Sequence, residues 1–108
     1  MNKTILITGA AKRIGKEIAL TYCDLGWNII IHYNSSKKDA EELAQNINSK
    51  NPGTAKIVQA NLDIDSEVKR LVEESKNFFD SIDILVNNAS TFYPCLLYTS
   101  DAADDGTG

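Results

Sequence analysis

The chain has 108 residues, with 11 basic and 15 acidic side chains and a formal net charge of −4. That length allows one domain with a modest core; no run is apolar for long enough to span a bilayer, and no basic stripe offers a nucleic-acid footprint, so neither a membrane nor a nucleic acid is expected as a partner. Met1-Asn2-Lys3 leads into an apolar strand without a small-residue cleavage site, which makes the cytoplasm the expected location, and Cys23 and Cys95 fit no metal-ligand spacing, so no metal is expected.

Residues 3–8, centred on Thr4-Ile5-Leu6-Ile7, read as a central parallel strand, apolar on both faces. A helix is expected from Arg13 to Leu25, with Ile14, Ile18 and Tyr22 on one face, Cys23 as a small buried residue and Gly26 as the stop. Asn28–Tyr33 is the second strand. After the polar loop from Asn34 to Lys38, a second helix from about Asp39 to Ser49 carries Ala40, Leu43, Ala44 and Ile47 at i, i+3, i+4, i+7. Asn51-Pro52-Gly53 signals a turn and Ala55–Gln59 a third strand. Asp63 and Asp65 are both candidate N-caps for a third helix, which turns Val68, Leu71, Val72 and Phe79 inward. Residues 81–86 form a fourth strand. Alternating strands and helices with right-handed crossovers predict an α/β, doubly wound parallel sheet in the order 3-2-1-4.

Residues 95–108 follow no such pattern. Back-translated, the run from Cys95 to Asp104 resembles a transposase adapter used in sequencing libraries. The chain therefore divides, as an expectation, into a native part, 1–94, and a non-native tail, 95–108. Asp101, Asp104 and Asp105 lie in that tail, so most of the acidic balance belongs to it.

The stretch Thr8-Gly9-Ala10-Ala11-Lys12-Arg13-Ile14-Gly15 joins the first strand to the first helix. Strand, tight glycine turn and helix N-terminus are what holding a pyrophosphate requires. Gly9 permits the turn and Gly15 lets the helix lie close to the strand. Thr8-Gly9, three residues, then Arg13-Ile14-Gly15 resembles the T-G-x-x-x-G-x-G of the short-chain dehydrogenases/reductases, with arginine in place of the second glycine. The whole stretch is most similar in character to the pteridine reductases of that family. The resemblance implies a Rossmann-type fold, truncated here, and a cofactor held by Gly9, Lys12, Arg13, Ile14 and Gly15. It also implies that Arg13 lies between cofactor phosphates and substrate, where a guanidinium fork suits phosphate oxygens.

At the end of the second strand stand His32-Tyr33-Asn34-Ser35-Ser36-Lys37, without the carboxylate that an NAD-specific fold uses for the ribose 2′-hydroxyl. The stretch resembles the H-Y-x-x-S of pteridine reductases, which implies that Tyr33, Asn34, Ser35 and Ser36 hold NADP(H). Ser35 replaces an expected arginine, leaving Lys12, Arg13 or Lys37 to compensate; a solvated polar loop is the plainer reading. Asn61-Leu62 stands where the family places an acid that holds adenine. The Asn61 carbonyl can accept the same bond, and a simple loop before the third helix fits equally well. Asn87-Asn88-Ala89, then Ser90-Thr91-Phe92-Tyr93-Pro94, resembles the second signature of these reductases. Asn88, Ala89 and Ser90 are thereby implied at the cofactor, and Arg13, Ser90 and Phe92 at the substrate, with Phe92 as an aromatic platform for a flat pterin.

The family's proton donor is a tyrosine spaced Tyr-x-x-x-Lys from its lysine. Tyr98 is followed four residues on by Ala102, and the catalytic pair is expected outside this chain. The resemblance thus implies the cofactor-binding part of an NADPH-dependent reductase of small molecules, pteridines first, inactive as a fragment and drawn from a homo-tetrameric parent. A reductase of ketones or acyl-carrier thioesters, and a non-catalytic dinucleotide module, stand as alternatives.

Overall fold

The computed structural model describes residues 3–88. The elements run β1 (Thr4–Ile7), α1 (Arg13–Asp24), β2 (Asn28–Tyr33), α2 (Lys37–Lys50), β3 (Ala55–Gln59), α3 (Asp65–Phe79) and β4 (Ile84–Val86). Their strands form one parallel sheet in the order β3-β2-β1-β4, as the alternation predicts. Three consecutive isoleucines in β2 show why the strands are continuously apolar. Ile29 and Ile31 pack with Ile5, Ile7, Ala19, Cys23, Leu43 and Ile47 under α1 and α2. Ile30 packs with Leu6, Val58, Val68 and Leu71 under α3. A strand covered on both faces needs apolar residues at every position.

The bounds of β2 and β3 are those the sequence predicts. The face of α1 is so only in part. Gly15 and Cys23 are buried as expected, with Ala19 between them, and Ile18 and Tyr22 pack half-buried against the same core, whereas Ile14 is 68% exposed. Small residues at i, i+4 and i+8 let the helix axis approach the sheet. Gly26 does end the helix: at φ +83° it takes the left-handed position and donates its N–H to the Cys23 carbonyl.

Helix α2 starts two residues earlier than predicted, at Lys37. Helix α3 has Ile64 at its N-cap position and no side-chain cap, so neither Asp63 nor Asp65 serves. The preceding turn is closed instead by the Asn61 Oδ1, which accepts the Asp63 N–H at 2.9 Å, and by the Asn61 carbonyl, which accepts the Ile64 N–H at 3.1 Å. On α3 the buried positions are Val68, Leu71 and Ser75; Ser75 is accommodated because its hydroxyl donates to the Leu71 carbonyl at 2.7 Å. Val72 and Phe79 are half-buried.

Strand β4 is shorter than predicted, yet Asp83, just before it, is fixed to β1. Its Oδ2 accepts the Thr4 N–H and its own N–H donates to the Thr4 carbonyl, both at 2.8 Å. Among the described residues β4 pairs with β1 alone. Among the same residues no helix is long and apolar enough to cross a membrane.

Gly15 sets the spacing of α1 against the sheet. A Cβ there would lie 2.6 Å from the Gly9 carbonyl oxygen, 2.7 Å from the Ala10 Cα and 2.8 Å from the Asn88 Nδ2. Two of these are backbone atoms that cannot swing aside. Gly15→Ala is therefore expected to destabilise the fold by about 1–3 kcal/mol, read as a lowered urea midpoint at unchanged slope; an unchanged midpoint contradicts the close approach.

Candidate functional site

The C-terminal ends of β1, β2 and β4 converge on the turn from Thr8 to Lys12. Gly9 has φ +62°, a conformation glycine adopts without a steric penalty. The turn is tied down from three sides. The Thr8 N–H donates to the Val86 carbonyl at 3.0 Å. The Gly9 N–H donates to His32 Nδ1 at 3.0 Å and the Ala10 N–H to the His32 carbonyl at 3.1 Å. Asn88 donates its own N–H to the Thr8 Oγ1 at 2.8 Å and its Nδ2 to the Gly9 carbonyl at 3.2 Å. Gly9 therefore supplies the turn and not a free amide.

The amides left to meet an anion are those of the first turn of α1. Lys12, at the N-cap position, makes no side-chain cap bond, and the first turn contains no acidic residue. Unclaimed N–H groups at the positive end of a helix suit a phosphate. Arg13 opens this turn at φ +56°. That is the left-handed region, where the family pattern has glycine and where a side chain costs about 1–2 kcal/mol. Arginine is held there by the surrounding turn, and its side chain, with Ile14, lines an open apolar groove of about 460 Å³ along the α1 flank, with Glu17, Ile18, Thr21 and Tyr22.

A second cleft, of about 140 Å³, opens beside the turn and is lined by Gly9, Ala11, Lys12, Tyr33, Asn34, Ser35 and Ser36. No carboxylate lines it. Gln59 Nε2 donates to both the carbonyl and the Oδ1 of Asn34, at 3.1 and 3.2 Å, so the Asn34 amide keeps its NH2 for other acceptors. Ser36 occupies the N-cap position of α2 without capping it, which leaves its hydroxyl and the first amides of α2 uncommitted. Of the three cations expected to compensate for Ser35, Lys12 lines this cleft, Arg13 lines the α1 groove and Lys37 lines neither. Lys12 also meets Asp39, Nζ to Oδ2, at 3.5 Å across a solvent-exposed gap; such a pair is weak. Hydroxyls, an amide and a lysine fit a phosphate monoester better than a ribose diol, which calls for a carboxylate.

Asn61 and Leu62 follow β3. The Asn61 Oδ1 is engaged by the Asp63 N–H, leaving one lone pair for an adenine amino group. The Asn61 N–H reaches Glu67 at 3.4 Å, and Glu67 is in turn paired with Arg70 at 2.7 Å. The Arg70 guanidinium holds the Glu67 carboxyl below its usual range and donates to the Gln59 carbonyl at 2.7 Å, bracing the end of β3. Ala89, Ser90 and Phe92, and the tail 95–108, lie outside the described residues. Two features escaped the sequence reading. One is His32 as the floor of the glycine turn, signalled by an imidazole directly after the three isoleucines of a buried strand. The other is a Tyr-x-x-x-Lys spacing at Tyr33 and Lys37. Tyr33 ends β2 and Lys37 opens α2, so the two do not share a helix face as a proton-relay pair on one helix would.

The family model described as short chain dehydrogenase matches residues 3–105. The chain belongs to the short-chain dehydrogenase family. It is similar to 3-oxoacyl-[acyl-carrier-protein] reductase FabG of Staphylococcus epidermidis, 42% identical over 89 residues, covering 82% of this chain and 36% of the relative. It is similar to a short-chain type dehydrogenase/reductase of Picea abies, 36% identical over 92% of this chain and 40% of that protein. It is also similar to pteridine reductase 1 of Leishmania tarentolae, 35% identical over 94% of this chain and 41% of that protein. The chain thus spans about two-fifths of the length of the curated relatives it matches. The short-chain dehydrogenase match does not itself divide the chain at Pro94, since it runs past that point. The family is one of oxidoreductases that bind nicotinamide dinucleotides.

Arg13→Gly is expected to remove backbone strain and raise stability by up to about 1 kcal/mol, glycine's unfolded-state entropy offsetting the rest. Thermal unfolding checks this; a lower Tm contradicts a strained left-handed Arg13.

Proposed function

We propose that the chain is the NADP(H)-binding part of a short-chain reductase acting on pteridines. The observation that carries the cofactor reading is the cleft beside the glycine turn, where Lys12, Tyr33, Asn34, Ser35 and Ser36 stand without a lining carboxylate. In this reading the first turn of α1 holds the pyrophosphate, Ser36, the Asn34 amide and Lys12 hold the 2′-phosphate, and Asn61 and Leu62 flank the adenine. Asn88 fixes the far side of the turn, with Ala89 and Ser90 continuing along the cofactor. The bound dinucleotide supplies the hydride; this chain's residues orient it and bring cation to its phosphates. Arg13, Ser90 and Phe92 are the proposed substrate contacts. The similarity to pteridine reductase 1 over 94% of the chain supports that substrate class.

A second reading keeps the cofactor and changes the substrate to an acyl-carrier thioester. It draws support from the 42% identity to a 3-oxoacyl-[acyl-carrier-protein] reductase. The proposed parent is a homo-tetrameric cytoplasmic enzyme whose Tyr-x-x-x-Lys lies downstream of Pro94, with residues 95–108 not native. The reductase encoded by the gene read through beyond Pro94 should oxidise NADPH with dihydropterin or dihydrofolate. Turnover of an acetoacetyl thioester in their place selects the second reading. The 108-residue chain alone should oxidise no NADPH with either.

Binding distinguishes the cofactors more directly. In a fluorescence titration NADPH should bind at least about tenfold more tightly than NADH, the worth of one charge-assisted contact to the 2′-phosphate. Lys12→Ala should erase most of that ratio; equal affinities in the unsubstituted chain contradict the NADP(H) reading.

A further inference from the structure

The chain has one histidine, and it is 2% exposed. Both its ring nitrogens are engaged: Nδ1 with the Gly9 N–H at 3.0 Å and Nε2 with the Ala60 carbonyl at 2.9 Å. An amide N–H only donates and a carbonyl only accepts, so the two partners dictate the ring's state. Nδ1 must be bare and Nε2 must carry the proton. One neutral tautomer satisfies both bonds; the imidazolium, with a proton on Nδ1 as well, would set two donors against each other at Gly9.

We infer that His32 is a positioning residue for the dinucleotide, and that its neutral Nε2-protonated form holds the glycine turn in its binding shape while protonation releases it. This rests on the turn being the cofactor site. The imidazole ties three strand ends together: Gly9 after β1, His32 itself in β2, and Ala60 after β3. It also fixes the direction of the peptide that leads into the first turn of α1.

By strand alternation His32 shares the face of Ile30, under α3. The charged groups on elements packed against that face are Lys56 of β3, Asp83 before β4 and, on α3, the half-buried Glu67, Arg70 and Glu74 and the exposed Asp65, Lys69, Glu73 and Lys76. Lys56 lies over the Phe78 ring, Asp83 accepts the Thr4 N–H, and Glu67 and Glu74 both pair with Arg70. None of these bonds reaches the imidazole, so no neighbouring carboxylate favours its charged form. Burial lowers its proton affinity below the usual 6.5, and the Ala60 carbonyl opposes that only in part. The sign follows. Unfolded chain binds the proton first, so this contribution is whole above about pH 6.5 and is lost as pH falls through the lower folded value.

Two measurements test this. Long-range ¹H–¹⁵N spectra of the 108-residue chain hold signals from a single imidazole. They should show the Nε2–H tautomer with Nδ1 as acceptor, titrating below the ordinary value, and the Gly9 amide should shift along the same curve. An Nδ1–H tautomer, or ordinary titration with an indifferent Gly9 amide, overturns the inference. Separately, NADPH affinity should fall tenfold per pH unit below the imidazole's own midpoint. In His32→Asn, whose Oδ1 can take the Gly9 N–H, affinity should follow only the nucleotide's own phosphate titration. In His32→Phe it should be weakened at least tenfold at every pH. Identical pH profiles for the unsubstituted chain and His32→Asn overturn the inference. Absence of NADPH binding at any pH overturns the cofactor reading instead, while the tautomer and the Gly9 shift still decide the role of His32.

Discussion

At Gly15 the helix α1 comes so close to the preceding turn that only a hydrogen fits between them, with the Gly9 carbonyl and Ala10 Cα where a Cβ would go. The rest of the arrangement depends on that approach. It brings the N-terminal end of α1 directly over the end of β1. It lets Asn88, from the end of β4, reach across to the Gly9 carbonyl. It also forces the small ridge Gly15, Ala19 and Cys23 against the sheet and leaves Ile14 outward. A larger residue at any one of these contacts would lift the helix and with it the amides of its first turn.

The turn above that contact is over-determined. Backbone from β4, an imidazole from β2 and the Asn88 side chain from beyond β4 each hold one of its peptides. Such bracing accounts for a non-glycine residue at φ +56°: strain of this kind persists only where the surroundings fix it. Arg13 is in that sense carried by Thr8, His32 and Asn88. The donors not spent on this internal bracing lie in the first turns of α1 and α2.

The strands were legible from residue type alone. Ile29-Ile30-Ile31 leaves no other assignment, because a strand covered on both faces has no polar side to be confused with. The glycine turn was legible because its backbone demands specific residues at fixed offsets. What escaped was whatever depends on residue size or on partners distant in sequence. Periodicity weighed Ile14 with Ile18 and Tyr22 on the face of α1, while packing kept the latter two half-buried and left Ile14 outside. Asp63 and Asp65 have the right chemistry for a cap, but the Asn61 side chain closes that turn first. His32 read as one more residue of the second strand, since the two groups it joins lie 23 and 28 residues away. Lys12, Arg13 and Lys37 were interchangeable cations in sequence; only the fold separates them.

The central claim is that the Gly9 peptide is held inward, as part of the fold, and that neighbouring amides are what the turn offers a ligand. Native-state hydrogen exchange of the ligand-free chain reads this residue by residue. The Gly9 N–H should exchange as slowly as the core amides of Ile29–Ile31, while the first amides of α1 exchange quickly. A Gly9 amide exchanging at the rate of an open loop would contradict the account.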